Sequence, residues 1–367
     1  MARKKYRVGV IGLGFGRAHI PAFQANGCEV VAVCQRNQET ARAVAERYGV
    51  PGVFEQWERM LDQARPDIVV IASPPSLHRE IALRAFSQGA HVLCEKPLAM
   101  TAAEGRDMVD AAAKAQRVAM TGFNWRFIPA MQRFHSLVEE GAVGRLFHTG
   151  GRWLGSRWAD ESAPITWRMD RTQAGHGAMG DMGVHLIDMV RWHFGEFARV
   201  CAHAGVAWTS RTVPGGGRAA DAEDYCSMIG ELESGGEVTL TVSRAARGAN
   251  ENFLEAYGSQ GALVYRLDRE KPKWYVGELR AAGASGTLQP VPVKAGLPRS
   301  AGEGDLMEVT GKTTIAPLVK RFLGAMRKSD GGESPSPSFQ DGVRAQLVLD
   351  AVLKSLQEGG WQRVQPM

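Results

Sequence analysis

Cysteine is scarce in this sequence. There are five in 367 residues: Cys28, Cys34, Cys94, Cys201 and Cys226. They are scattered and odd in number, with no Cys-x-x-Cys pair and no Cys/His cluster. Neither a disulfide framework nor a zinc site is expected, and no metal of any kind. Long apolar runs are also missing. None approaches the roughly 20 residues that cross a bilayer as a helix. The start, "MARKKYRVGVIGLG", is basic but has no cleavable apolar segment, and its apolar part reads directly as a strand. These absences lead us to expect a protein of the reducing cytoplasm with no membrane partner. No dense basic stripe is present, so nucleic acid is not an expected partner either. The net charge of +5 could draw in an anionic small molecule, or could reflect a solvated surface with a few extra arginines. No internal repeat or heptad pattern occurs.

What is present is ordinary globular material, 44% hydrophobic and 23% charged. The length is comfortable for two domains. The first third alternates apolar strands with amphipathic helices. Strands are expected at Arg7–Ile11, Val30–Cys34, Ile68–Ala72, Val92–Cys94 and Val118–Thr121. Helices are expected at Glu39–Tyr48, His78–Gln88 and Ala102–Gln116. Short apolar strands alternating with helices predict a parallel sheet covered on both faces.

After about Gly122 the pattern changes. A helix near Pro129–Glu140 leads into Leu146–Trp153, Arg199–Trp208, Tyr225–Leu232, Glu237–Ser243, Phe253–Tyr257 and Leu263–Leu267. These segments predict a mainly antiparallel sheet. One helix, about Met179–Phe194, interrupts it. Ser210–Asp221, Ala281–Gly304 and Ser329–Ser338 read as exposed loops. Ser338 and Asp341 form a capping-box-like start to a last helix, whose buried stripe is Leu349, Val352, Leu353 and Leu356.

Four motifs carry chemistry. The first is Gly12-x-Gly14-Phe15-Gly16-Arg17, between a strand and a helix. Gly12 suits a tight turn, and Gly14 lets backbone approach a pyrophosphate. The third position of this fingerprint is normally Gly or Ala, for close helix–strand packing. Here it is Arg17, with Gly16 one place early. At the end of the second strand an acid would favour NAD. The sequence has Gln35 and Arg36 instead. The fork of Arg36 suits a 2′-phosphate, which tips the expectation slightly toward NADP over NAD, unless Arg36 is only a solvated loop residue.

The second motif is "IASPPSLHREIA". Ser73 and Pro74 would floor the nucleotide, with His78 beside them as a contact or as a packing residue of the next helix. The third is "CEKPLA". Glu95 and Lys96 stand at the mouth of a buried strand, near the nicotinamide end of the crevice by strand order. Lys96 there could hold a substrate hydroxyl, or the two could be a surface ion pair. The fourth is "GDMGVHLIDMVRWHFG". Asp181, His185 and Asp188 fall at i, i+4 and i+7, on one helical face. Histidine suits proton transfer near neutrality. A structural His–Asp pair would look the same.

Taken together, "GVIGLGFGRAH", "EKP", "GFNWRFIPA", the Asp-x-Gly-x-His-x-x-Asp helix and "DGVRAQLVLDAVLKSLQEGGW" resemble the glucose–fructose oxidoreductase / inositol dehydrogenase / rhizopine-catabolism (Gfo/Idh/MocA) family. The resemblance covers essentially the whole chain. It implies a Rossmann dinucleotide-binding domain over 1–124. It implies an α+β domain over 125–367, built on an open, mainly antiparallel sheet, for substrate binding and for homodimer or homotetramer contacts. The final helix, 339–357, would pack back near the first domain. The family's reactive set maps onto Lys96, Asp181 and His185, and Thr166-Trp167-Arg168 resembles a segment that reaches the nicotinamide end, adding Arg168 to the cofactor contacts. The implied activity is an NAD(P)-dependent dehydrogenase or reductase of a sugar, cyclitol or polyol. Asn124, Arg126, Trp153, Trp158 and His176 are candidate pocket residues, each also readable as core or interface. Two other activities are weighed on the same fold: a non-catalytic NAD(P)-binding sensor and a redox-cycling glycosidase.

Overall fold

Short runs of valine and isoleucine build the first sheet. Its strands are β1 (Arg7–Ile11), β2 (Glu29–Cys34), β3 (Gly52–Phe54), β4 (Ile68–Ile71), β5 (His91–Cys94) and β6 (Ala119–Thr121). They lie in the order β3-β2-β1-β4-β5-β6, and every neighbouring pair is parallel. All four residues of β4 are buried, as a parallel strand covered on both faces requires. The order reverses between β1 and β4. Ligands of such sheets sit beyond the strand carboxyl ends at that reversal.

The computed structural model describes residues 5–211, 218–283, 286–297, 299–328 and 335–367. The chain divides into two units, Met1–Phe127 with Leu297–Val343, and Ile128–Gly296 with Arg344–Met367.

In the first unit, helices Gln38–Tyr48, His78–Ser87 and Ala102–Ala115 follow the expected bounds within a residue or two. Asn37 and Thr101 cap the first and last of these through their side chains. Strand β3 and helix Trp57–Ala64 were not anticipated. Nor was the helical run Leu306–Thr310, Gly311–Ile315 (π-helical) and Ala316–Lys328. That run packs Ile315, Leu318, Val319 and Phe322 into one core with Leu13, Ile20 and Phe23.

The second unit holds β7 (Leu146–Leu154), β8 (Phe197–Gly205), β11 (Tyr225–Leu232), β12 (Glu237–Ser243), β13 (Glu251–Gly258), β14 (Gly261–Leu267), β15 (Glu278–Gly283), β16 (Gln289–Pro290) and β17 (Gln362–Arg363). The order is β16-β15-β14-β13-β7-β12-β11-β8-β17. Only the β7–β12 pair is parallel. Residues of β11 alternate between buried and solvent-facing, the mark of a half-covered sheet. Gly151 on β7 lets Leu186 of the helix after it approach closely: a Cβ there would lie 3.3 Å from the Leu186 side chain.

Two expected loops contain strand. Ser210–Arg211 (β9) pairs with Arg218–Ala219 (β10), and β15, which runs into Ala281–Gly304, pairs with β16 inside that segment. Both are pairings too short to show a period in sequence. Residues 212–217, 284–285, 298 and 329–334 of the three loops lie outside the described residues. The last helix spans Phe339–Glu358, its residues through Val343 belonging to the first unit and the rest to the second. Its box is closed in both directions. Ser338 N–H donates to Asp341 at 2.7 Å, and Asp341 N–H to the Ser338 hydroxyl at 3.2 Å. Leu349 and Val352 are fully buried, while Leu353 and Leu356 are half-buried.

Candidate active site

The glycine loop is built by three different constraints. Gly12 leaves β1 with φ +85°, and a Cβ there would lie 2.4 Å from the Ala72 carbonyl oxygen. Only glycine turns this corner. A Cβ at Gly14 would meet nothing within 4 Å, so the loop is open on that side. Gly16 is buried, and a Cβ would stand 2.9 Å from the Ala72 side chain and 3.3 Å from Val10. Gly16 therefore does the helix–strand packing, while Arg17 is exposed and Phe15 half-buried. Moving the third glycine one place early keeps its packing function.

Gln35 takes part in this loop. Its side-chain oxygen accepts the Leu13 N–H at 2.8 Å. Arg36, next to it, is exposed. Ser73 is buried beside Pro74 at the end of β4. His78 is buried among carbonyls: Nε2 lies 2.9 Å from Ser73 O, and Nδ1 lies 3.1 Å from Pro97 O and 3.2 Å from Leu98 O. The ring thus ties the β4 loop to the Lys96–Pro97 turn. Burial holds its pKa below the ordinary histidine value, against the pull of those carbonyls.

Behind that turn lies a pair that sequence reading missed. His19 is fully buried, and its Nε2 is 2.8 Å from Glu95 Oε1. The Glu95 carboxylate fills the space that a Cβ on Gly122 would need, 2.7 Å away. Lys96 is half-buried and follows in the chain. His19 closes the "GRAH" stretch, but no local pattern links it to a glutamate 76 positions on.

In the second unit, Asp181 lies in the π-helical turn Met179–Gly183 and His185 in the α-helix Val184–Phe194 that continues it. Such π turns recur at functional sites. Arg168 Nε lies 3.4 Å from Asp181 Oδ1. The ring of His185 lies 5.7 Å from that of Trp153. Asp188 is fully buried, with Arg191 3.9 Å away, and belongs to the interior. Glu223, another missed residue, holds the start of this turn: its carboxylate accepts the N–H groups of Gly177 at 2.7 Å and Met179 at 3.2 Å. Arg244, paired to Asp224 at 3.1 Å, donates to the Arg168 carbonyl at 3.0 Å.

The other pocket candidates each have partners within their own unit. Asn124 donates to the Thr314 hydroxyl at 2.7 Å. Arg126 is buried and bonded to Ser336 and Asp341. Trp158 is buried under the Arg244 guanidinium. His176 is buried beside Gly180, its pKa lowered by burial. Arg168 with Asp181, and Trp153 with His185, are the candidates the fold brings together within this unit. Among the described residues no group of three metal-ligating side chains occurs. No described helix is long and apolar enough to cross a membrane.

Comparison with known proteins fits this geometry. Residues 6–123 match the "Oxidoreductase family, NAD-binding Rossmann fold" profile of GFO_IDH_MocA. Residues 131–264 match the "GFO/IDH/MocA C-terminal domain". The chain is 32% identical to levoglucosan dehydrogenase of Pseudarthrobacter phenanthrenivorans, over 96% of this chain and 97% of that one. It is 27% identical to D-apiose dehydrogenase of Paraburkholderia graminis, over 97% and 89%. A solved levoglucosan dehydrogenase in complex with NADH and levoglucosan superposes with a TM-score of 0.86 at 31% identity, covering 99% of this chain and 100% of that one.

Proposed function

This chain belongs to the Gfo/Idh/MocA oxidoreductase family, and from that premise we propose that it moves a hydride between a nicotinamide cofactor and a secondary alcohol or ketone of a sugar, cyclitol or related polyol. The observation that carries this reading is the β1 turn. A positive-φ glycine and an open Gly14 stand at the strand-order reversal, in a chain similar along its length to dehydrogenases of sugars. Gly12, Gly14, Phe15 and Gly16 would hold the cofactor's phosphates, with Ser73 and Pro74 below. NAD is the cofactor we assign. The exposed Arg36 supports acceptance of NADP as well.

The bound nicotinamide supplies the hydride acceptor; the chain supplies position and proton traffic. In this reading His185 takes the hydroxyl proton as general base. Lys96 hydrogen-bonds the same oxygen and stabilises the charge that develops on it. Asp181, anchored by Arg168, holds substrate and tunes His185. His19 and Glu95 fix the backbone from which Lys96 projects. The solvent-facing side of the second sheet is the surface we assign to self-association.

Nicotinamide absorbance across sugars, cyclitols and their keto forms, with both cofactors, tests the reading. Turnover should fall by roughly 10²–10⁴ in Lys96→Ala with cofactor binding retained. Tight cofactor binding without turnover would overturn it in favour of a sensor. Glycoside cleavage without net absorbance change would overturn it in favour of a closed redox cycle.

A further inference from the structure

We propose that Arg269, with Trp153, Trp274, Asn252 and Tyr265, forms a subsite beside His185 for an oxyanion carried by the sugar, a carboxylate or a phosphate. The inference rests on the dehydrogenase reading above and narrows its substrate class.

The strands bring these residues together within the second unit. Asn252 on β13 stands opposite Trp153 on β7 and Leu267 on β14. Directly opposed residues share a sheet face, and Tyr265, two before Leu267, shares it too. Asn252 is 4% exposed, and neither its amide oxygen nor its nitrogen has a hydrogen-bond partner among the described residues. Tyr265 is fully buried, and its hydroxyl is likewise unpartnered there. Leaving such a group buried without a partner costs about 1–3 kcal/mol. Native proteins rarely keep two side by side without a water or a ligand to meet them.

Arg269 follows β14 by two residues. Its guanidinium carbon lies 5.7 Å from the Trp153 ring centroid and 5.6 Å from that of Trp274. The Trp153 ring is itself 5.7 Å from the His185 ring. Trp153 therefore neighbours both the guanidinium and the imidazole, and its ring is the surface on which a sugar would meet the two. Neighbouring cations have acids: Arg266 has Glu251 and Lys271 has Glu278. Arg269 has none among the described residues. Crowding presses its pKa down, and only the Tyr265 phenol pulls the other way. It still keeps exposed surface, so a solute can reach it. The set is rich in donors, namely a guanidinium, an amide NH2 and a phenol. Its one group that can only accept is the Asn252 amide oxygen. That balance suits an oxyanion better than a hydroxyl, and planar Trp153 suits the C–H face of the same sugar.

Steady-state kinetics on glucuronate, glucose 6-phosphate and glucose test this in the full-length protein. Wild type should prefer one of the anions. Arg269→Gln should lower kcat/KM for that anion about 10–100-fold, the worth of a charged hydrogen bond, with at least a tenfold smaller loss on glucose. Asn252→Leu should lose part of the same preference while raising the melting temperature, since it removes an unmet buried amide. Equal losses on anion and glucose, or a wild type that prefers glucose, would overturn the subsite. If none of the three is oxidised, the wider panel above judges the dehydrogenase reading separately. Calorimetry with the same three compounds and NADH then judges the subsite: tighter binding of an anion in wild type only supports it, and equal binding rejects it.

Discussion

His91 shows how a single side chain carries a measurable consequence. It opens β5, and its Nδ1 accepts the Val118 N–H at 3.0 Å. Burial, then the nearby Arg117, push its pKa down to about 4. The folded protein therefore keeps the ring neutral where the unfolded chain would already protonate it, below pH about 6.5. Between those two values the unfolded state binds more protons, so stability is lost as pH falls through that window. His78 and His176, also lowered by burial, act in the same direction. Urea unfolding at pH 7 and pH 5 should show a smaller loss in His91→Gln, whose side-chain oxygen can still accept from Val118. An equal loss in both proteins would assign the acid sensitivity to the other histidines. At this scale the sequence shows residue types better than partners. Lys96, Asp181 and His185 stand out by chemistry and spacing, and Gly12 by its turn. The Glu95–His19 pair and the grip of Glu223 on Gly177 join positions far apart in the chain. No local pattern encodes them.

Elements were legible where they were long or strongly periodic. β11 and β12 fall where the alternation puts them, and the parallel strands match within two residues. β3 is three half-buried residues and carries almost no period. The run Leu306–Lys328 hides its helices for another reason. Gly311, the β-branched stretch Thr313–Ile315 and Pro317 all lower helix propensity. Packing of Leu318, Val319 and Phe322 into the first unit's core overrides them. The π turn before His185 is likewise a tertiary product, held by Glu223 from outside the helix. Glu223→Ala would leave the Gly177 and Met179 N–H groups buried and unmet, and we expect a loss of about 2–4 kcal/mol in urea unfolding. Glu223→Gln keeps an acceptor oxygen and should lose clearly less. If the two variants unfold alike, the carboxylate charge toward Arg171, not the cap, holds the turn.

At the scale of the whole molecule, one sheet face remains to be accounted for. Tyr225 and Ile229 of β11 are each 42% exposed. Their cross-strand neighbours on that face include Thr239 and Ser243 of β12, and Cys201 of β8. Further across, Arg152 of β7 lies over the Phe253 ring of β13. The face thus mixes rings, methyls and hydroxyls with ion pairs such as Arg199–Glu231 and Arg152–Glu251, and the exposed Tyr225 and Ile229 among them suit a protein–protein contact. Sequence alternation shows that such a face exists, because every second residue of β11 and β12 is buried and the rest must point away. It cannot say what meets the face, since the pattern of a solvated sheet and of a paired one is the same. Two copies of this chain related by a two-fold axis would place Ile229 against its own surroundings, making the contact self-complementary. Ile229→Lys sets two like charges at that position and desolvates both. Sedimentation of wild type should therefore show a dimer or tetramer, and that of Ile229→Lys a monomer with the helical content unchanged. An oligomer that survives the substitution intact would move self-association off this face, and a monomeric wild type would leave the face to solvent.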